Sequence, residues 1–209
     1  MLGKVDKSKK IDEKVFGRKI APLQIRIGEL QREYRDLKIP IIIVVEGWNA
    51  SGITLVINEL IQYLDPRGFS LHSIGSPTDE EHDRPLLWRF FIRTPQKGHI
   101  AIFARSWYSR FLAEKVTGID WKKEVKRSCW IINSYERQLT DDGFIILKFF
   151  LHISAEEQKK RLDERETDPL TSWISPKATG TSITSMTATC RLSGSLSVRP
   201  ISRTLPGNC

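Results

Sequence analysis

The run IPIIIVV at residues 39–45, followed by EGWNASG, narrows the possible folds more than any other feature of the chain. Ile41 to Val45 are branched and apolar without alternation, so a strand with one wet face is excluded, and the run is too short for a buried helix. It fits a central strand of a parallel sheet, covered on both faces. The chain then turns on Gly47 and Gly52, and TLVINELIQYL reads as a helix stopped by DPRG, with Pro66 and Gly68. Strand, glycine turn and helix outline a loop that cradles phosphate. They equally outline a plain turn, and the pattern G-x-x-x-x-G-K-[ST] is broken here, because Ile53 stands where a lysine would reach the phosphates.

The same alternation repeats downstream. FSLHSIG, GHIAIFARSWY and FIILKFFLHIS read as three more strands, and EEHDRPLLWRFFIR, RFLAEKV, KKEVKRSCWIINSYERQLTDDG and SAEEQKKRLDERE as helices between and after them. Pro85 is tolerable near the first turn of its helix, and Ser154 with Glu157 forms a capping box. Ahead of the first strand, Ile27, Leu30, Tyr34 and Leu37 recur at helical spacing over Pro22–Leu37, while residues 1–22 form a basic arm, extended or partly helical. The expected fold is α/β, a parallel sheet with helices on both faces in three layers. Loops after Val45, Ile74 and Phe103 would meet at the carboxyl ends of the strands, where ligands of such sheets bind.

Composition limits the classes of function. The 209 residues suit one domain of ordinary size, over 23–173, and 40% hydrophobic with 28% charged residues is the profile of a globular protein. No apolar run of membrane-spanning or signal-peptide type occurs, so a cytoplasmic location is expected. Cys129, Cys190 and Cys209 are too few and too scattered for a disulfide or metal framework. The net charge of +8 favours a polyanionic partner, yet four of those charges, Lys177, Arg191, Arg199 and Arg203, fall after Ile174 with no acidic residue among them. No nucleic-acid reader motif accompanies the charge.

Phosphoryl transfer requires donors around the phosphates, carboxylates for Mg²⁺ and cations for the transferred group. GWNASGIT can supply the donors through Gly47, Asn49, Ser51, Gly52 and Thr54, at a helix N-terminus whose dipole favours anions. Arg105 and Arg110 follow the third strand. Arg84, Arg89 and Arg93 recur at about helical spacing, which reads as a basic wall or as an ordinary polar face. Arg161 and Arg165 read as lid cations or as partners of Glu157 and Glu164.

EGWNASG, LDPRGF, RPLLWRFFIRTPQKGHIAIFARSWYSR, INSYERQLTDDGFIILKFFLHIS and EEQKKRLDERETDPLTSW together resemble the polyphosphate kinase 2 family, in particular the first of two fused domains in its polyphosphate:AMP phosphotransferase branch, from about Val5 to Trp173. The resemblance implies a P-loop kinase-like fold and Mg²⁺-dependent transfer between inorganic polyphosphate and a nucleotide, AMP or ADP. Arg105 and Arg165 are the catalytic candidates, and Gly47, Asn49, Ser51, Gly52, Thr54, Arg89, Arg93 and Arg110 the phosphate-binding ones; of these, Gly47, Gly52 and Arg105 match the family's pattern. The family has Asp at Asn49, Lys at Ile53 and Asp at Ala104. Asn49 is thus a weak metal ligand, Ile53 and Ala104 are degenerate positions, and the expectation is a domain that keeps its scaffold with little or no turnover. A companion role beside an intact paralogue, or a homo-oligomer, is the alternative.

After Trp173 the rhythm stops. Residues 174–209 hold 13 Ser or Thr and no aromatic or acidic residue, a composition that cannot offset its ordering entropy. A synonymous codon choice exists in which a two-base skip restores a charged, aromatic sequence of the family's kind. The expectation is a disordered tail produced by a frameshift.

Overall fold

The computed structural model describes residues 11–109 and 121–167, except for the side chains of 121–125. The segment RFLAEKV, Arg110 and the tail from residue 174 lie outside the described residues. In chain order the elements are α1 (Glu13–Asp36), β1 (Ile41–Gly47), α2 (Ile53–Ile61), a 3-10 turn (Pro66–Gly68), β2 (Phe69–Ser73), α3 (Asp79–His82), α4 (Trp88–Phe91), β3 (Ile100–Ala104), α5 (Trp121–Asp141), β4 (Ile145–Leu151) and α6 (Ala155–Thr167).

The four strands form one parallel sheet in the order β2-β3-β1-β4. Every residue of β1 is buried, as the unalternating apolar run requires. Its side chains divide between two cores. Ile42 and Val44 join Ala101, Phe103, Phe90, Trp107, Ile132 and Leu139 on the side of α4 and α5. Ile41, Ile43 and Val45 join Ile57, Leu64, Ile100 and Ile102, with Ile27 and Tyr34 of α1, on the side of α1 and α2. Helices therefore cover both faces. Ile42, Ile102 and Phe103 are fully buried, and each such side chain contributes roughly 1.5–3 kcal/mol of transfer free energy.

LDPRGF is a structural joint. Gln31, buried on α1, accepts the Asp65 N–H through Oε1 at 2.6 Å and donates to its carbonyl through Nε2 at 3.0 Å. A Cβ on Gly68 would lie 2.6 Å from Gln31 Nε2 and 2.7 Å from Arg35 Nη2, so a larger residue there would displace the ends of both side chains that dock the turn on α1. Asp65 binds Arg67 at 3.0 Å and Arg35 at 3.2 Å. Its hydrogen bonds with Arg67 hold the carboxyl well below the usual range, with Arg35 adding to the effect.

Two element boundaries differ from expectation. The first helix begins at Glu13 and runs through Pro22, because the Asp12 side chain accepts the N–H groups of Lys14 and Val15 and starts the helix there. Pro22 is an interior residue rather than a first-turn one. The single helix expected around Pro85 is two short pieces, α3 and α4. Pro85 has no N–H and disfavours a helical residue before it, and Trp88 N–H turns back to the Pro85 carbonyl at 2.8 Å. A reciprocal capping box of Thr78 and Glu81 fixes the start of α3. Among the described residues no helix is long and apolar enough to cross a membrane.

Candidate phosphate-binding site

The connections from β1 and β3 leave in opposite directions, one to β2 and the other across β1 to β4. Sheets of this kind open a crevice at such a switch. A cleft of about 410 Å³ lies there, bounded by residues 48–55, by Ser73 and Ile74 after β2, by Ala104 and Arg105 after β3, and by Leu162 and Arg165 of α6. The loops expected after Val45 and Phe103 line the cleft, whereas from the second strand only its end, Ser73 and Ile74, reaches it and no residue of the loop beyond Ile74 does.

The loop after β1 is held open by close packing. A Cβ on Gly47 would meet Ser51 Oγ at 2.5 Å and the Leu151 carbonyl at 2.8 Å, so glycine lets the loop fold back on the strand. Ser51 N–H binds the Trp48 carbonyl at 3.1 Å. Ala50 and Gly52 adopt left-handed backbones, at φ 59° and 93°. Gly52 precedes α2 without a side-chain cap, leaving the first-turn N–H groups of Ile53, Thr54 and Leu55, cleft residues all, available to an anion. Ser51 Oγ is buried on the same wall with no hydrogen-bond partner among the described residues.

α6 braces this loop from outside. Gln158 Nε2 donates to the Asn49 carbonyl at 3.0 Å and Arg161 Nη1 to the Ala50 carbonyl at 3.3 Å, while Arg161 Nε pairs with Glu157 at 2.7 Å. Arg161 is therefore a tie between helix and loop and does not line the cleft.

The structure brings together Asn49, Ser51, Gly52, Thr54, Arg105 and Arg165, with Ile53 and Ala104 between them. Gly47 acts from beneath, through the space it leaves. Arg89 and Arg93 are elsewhere. Both pair with Glu81 at 3.3 Å in a half-buried cluster, and Arg93 also donates to the Arg89 carbonyl. Arg84 stacks on Trp88 at 5.2 Å and faces Glu80 at 3.6 Å. Part of the expected basic wall is thus tied up away from the cleft, because Glu81, placed by its capping box, pairs with two of its guanidinium groups.

Among the described residues, those on this wall do not fit a magnesium ion. The oxygen-bearing side chains lining the cleft are Asn49, Ser51, Thr54 and Ser73, all neutral, whereas Mg²⁺ is ordinarily held by one or two carboxylates. The Asn49 amide oxygen already accepts the Ala50 N–H at 3.0 Å. Among the described residues no group of three or more His, Cys, Asp or Glu side chains is placed to hold a metal.

Two carboxylates escaped the sequence reading. Glu46 is buried at the end of β1, and its Oε1 accepts Ser106 N–H at 2.7 Å, Ser106 Oγ at 2.8 Å and Ser109 Oγ at 2.9 Å. Burial pushes its carboxyl above the ordinary range, opposed by the Ser106 and Ser109 hydrogen bonds and by Arg105. A lone acid in an apolar strand was the available signal. Glu136 of α5 accepts Trp107 Nε1 at 3.1 Å and the Tyr108 hydroxyl, and pairs with Lys148 of β4. Nothing local in the sequence marked it.

The comparisons with known proteins agree with this geometry. The model of the family "Polyphosphate kinase 2 (PPK2)" matches residues 10–182. The chain belongs to the polyphosphate kinase 2 family. It is 34% identical over 169 residues to a polyphosphate:AMP phosphotransferase of Pseudomonas aeruginosa, covering 81% of this chain and 34% of that protein. It is 35% identical over 162 residues to ADP-polyphosphate phosphotransferase 3 of Rhizobium meliloti, covering 77% and 57%. Crystal structures of polyphosphate kinase 2 proteins from Arthrobacter aurescens (TM-score 0.79, 27% identity, 90% and 72% covered) and Pseudomonas aeruginosa (TM-score 0.75, 34% identity, 80% and 37% covered) share its fold. The fold is P-loop kinase-like, and the chain spans about a third to just over half of the two curated relatives described.

Proposed function

We propose that this chain is a binding domain for inorganic polyphosphate and a nucleotide, AMP or ADP, of the polyphosphate:AMP phosphotransferase type, whose own turnover is weak or absent. The observation that carries this reading is the composition of the cleft wall. Among the described residues it offers N–H groups at a helix N-terminus, the Ser51 and Thr54 hydroxyls and the guanidinium groups of Arg105 and Arg165, but Ile53 and Ala104 in place of further charge and no carboxylate. Such a wall can bind an anion, while nothing on it offers a ligand set for the metal that family enzymes of this class use. Losing even one group aimed at developing charge costs roughly 10²–10³ in rate, and groups acting as a unit do not add. A cytoplasmic location belongs to the same reading.

The test is ADP formation from AMP and polyphosphate by the purified chain with Mg²⁺ present. The expected rate lies far below the roughly 1–100 per second usual for kinases; a rate inside that range overturns the proposal.

A second reading is favoured by the sheet edge. β4 carries an apolar sequence, IILKFFL, yet Phe149 is 50% and Phe150 38% exposed, and the chain spans a minority of its Pseudomonas relative. In this reading the domain binds a catalytically intact paralogue, a second domain or another copy of itself. Co-elution with an intact polyphosphate:AMP phosphotransferase in size exclusion supports it, and separate elution of both at micromolar concentration removes it.

A further inference from the structure

The segment Arg105–Ser109 is gripped from two sides. Val45 and Glu46 are successive residues of β1, and they take successive N–H groups of the turn. The Val45 carbonyl accepts Arg105 N–H at 3.0 Å, and the Glu46 carboxylate accepts Ser106 N–H at 2.7 Å. The same carboxylate oxygen holds both serine hydroxyls of the segment. Ser106 Oγ in turn accepts Tyr108 N–H at 3.2 Å. From the far side, Glu136 takes Trp107 Nε1 and the Tyr108 hydroxyl. Four residues in a row are thus held by carboxylates.

Arg105 is the residue this grip leaves pointing outward. Its φ is 67°, a left-handed conformation that a non-glycine residue keeps only where its surroundings over-determine it. It is exposed and lines the cleft, and among the described residues its side chain makes no hydrogen bond or ion pair of its own. The neighbours that force the left-handed turn are the N–H bonds to Val45 and Glu46. Glu46 itself does not line the cleft.

We propose that Glu46 is a positioning residue. Its buried carboxylate sets the left-handed turn that aims the Arg105 guanidinium at the anion cleft, so that it acts on phosphate binding through Arg105 and not by contact. This rests on the functional reading above, since it assumes that the cleft takes a chain of phosphates. A bland role for Glu46, as a core anchor, accounts for the burial. It does not account for a three-donor carboxylate placed one residue from the strained arginine.

The experiment is a calorimetric titration of tripolyphosphate, in EDTA, into the whole chain and into Arg105→Ala, Glu46→Ala, Glu46→Gln and the Glu46→Ala/Arg105→Ala double variant. Arg105→Ala is expected to weaken binding by about tenfold or more, the usual scale for a charge-assisted hydrogen bond. Glu46→Ala should approach that loss, Glu46→Gln, which keeps the accepting oxygen, should stay near wild type, and the double variant should bind like Arg105→Ala. The inference is overturned if Glu46→Ala binds like wild type, or if it weakens binding by the same factor with and without Arg105. Where Glu46→Ala lacks a cooperative melt, Ser106→Ala/Ser109→Ala replaces it, with a partial loss expected that disappears in the Arg105→Ala background; an equal loss in both backgrounds is contrary. Failure of the wild-type chain to bind tripolyphosphate defeats the functional reading and this inference with it, a result distinct from wild-type binding that ignores Glu46.

Discussion

At the scale of single residues, two carboxyls should respond to pH with opposite signs. Burial raises the Glu46 carboxyl above its ordinary value of 4.5. A group with a higher folded than unfolded pKa contributes most below the unfolded value and loses that contribution as pH rises through the folded one. Glu46→Gln should therefore gain melting temperature relative to wild type at pH 7, and the gain should shrink as pH falls through the raised folded pKa and be gone by about pH 4.5. Asp65 is depressed, chiefly by Arg67. Its contribution is present above its ordinary value of 3.8 and is lost as pH falls. Asp65→Asn should melt below wild type at neutral pH and converge with it in acid. Thermal melts of both variants from about pH 1.5 to 8 check the pair, and parallel curves would contradict both assignments. The residues carrying these effects were unequally legible in the sequence. Arg105 stands out beside a strand end, and Glu46 as an acid in an apolar run. Arg89 and Arg93 looked like phosphate ligands because spacing cannot show that Glu81, eight and twelve positions earlier, folds back onto both.

At the scale of elements, the loop after β1 depends on the absence of a single carbon. Gly47→Ala would press a Cβ to 2.8 Å from the Leu151 carbonyl, a backbone atom of the neighbouring strand that cannot rotate away. The expected cost is about 1–3 kcal/mol, read as a lower denaturation midpoint with an unchanged slope; an unaltered midpoint would mean the loop is looser than described. The central strands β1 and β3 were legible because burial on both faces imposes continuous apolar runs, whereas β2 and β4 at the sheet edges are partly exposed. The helices were less so. Asp12 starts α1 ahead of the apolar period, and Pro85 divides what reads as one helix into α3 and α4. A local capping or breaking residue outweighs periodicity in both cases. The bracing of the loop by Gln158 and Arg161 joins residues more than a hundred positions apart, and no local pattern announces it.

At the scale of the molecule, a family scaffold surrounds a cleft lined, among the described residues, by two arginines and otherwise by uncharged groups. The sheet order puts the loops after β1 and β3 and the end of β2 at one switch point, two carboxylates fix the turn that carries Arg105, and α6 braces the loop after β1. On the proposed reading, the apolar wall of Ile53 and Ala104, with no acidic side chain lining the cleft among the described residues, distinguishes it from a metal-assisted phosphoryl-transfer site. A cation-lined cleft of this kind should prefer the bare polyanion, because Mg²⁺ neutralises the charge that the arginines and helix N-terminus attract. The most direct measurement is the affinity of the purified chain for tripolyphosphate by calorimetry, first in EDTA and then with excess Mg²⁺. Binding in EDTA that weakens when Mg²⁺ is added is the predicted result. Absence of binding in EDTA, with binding appearing only when Mg²⁺ is supplied, would contradict it.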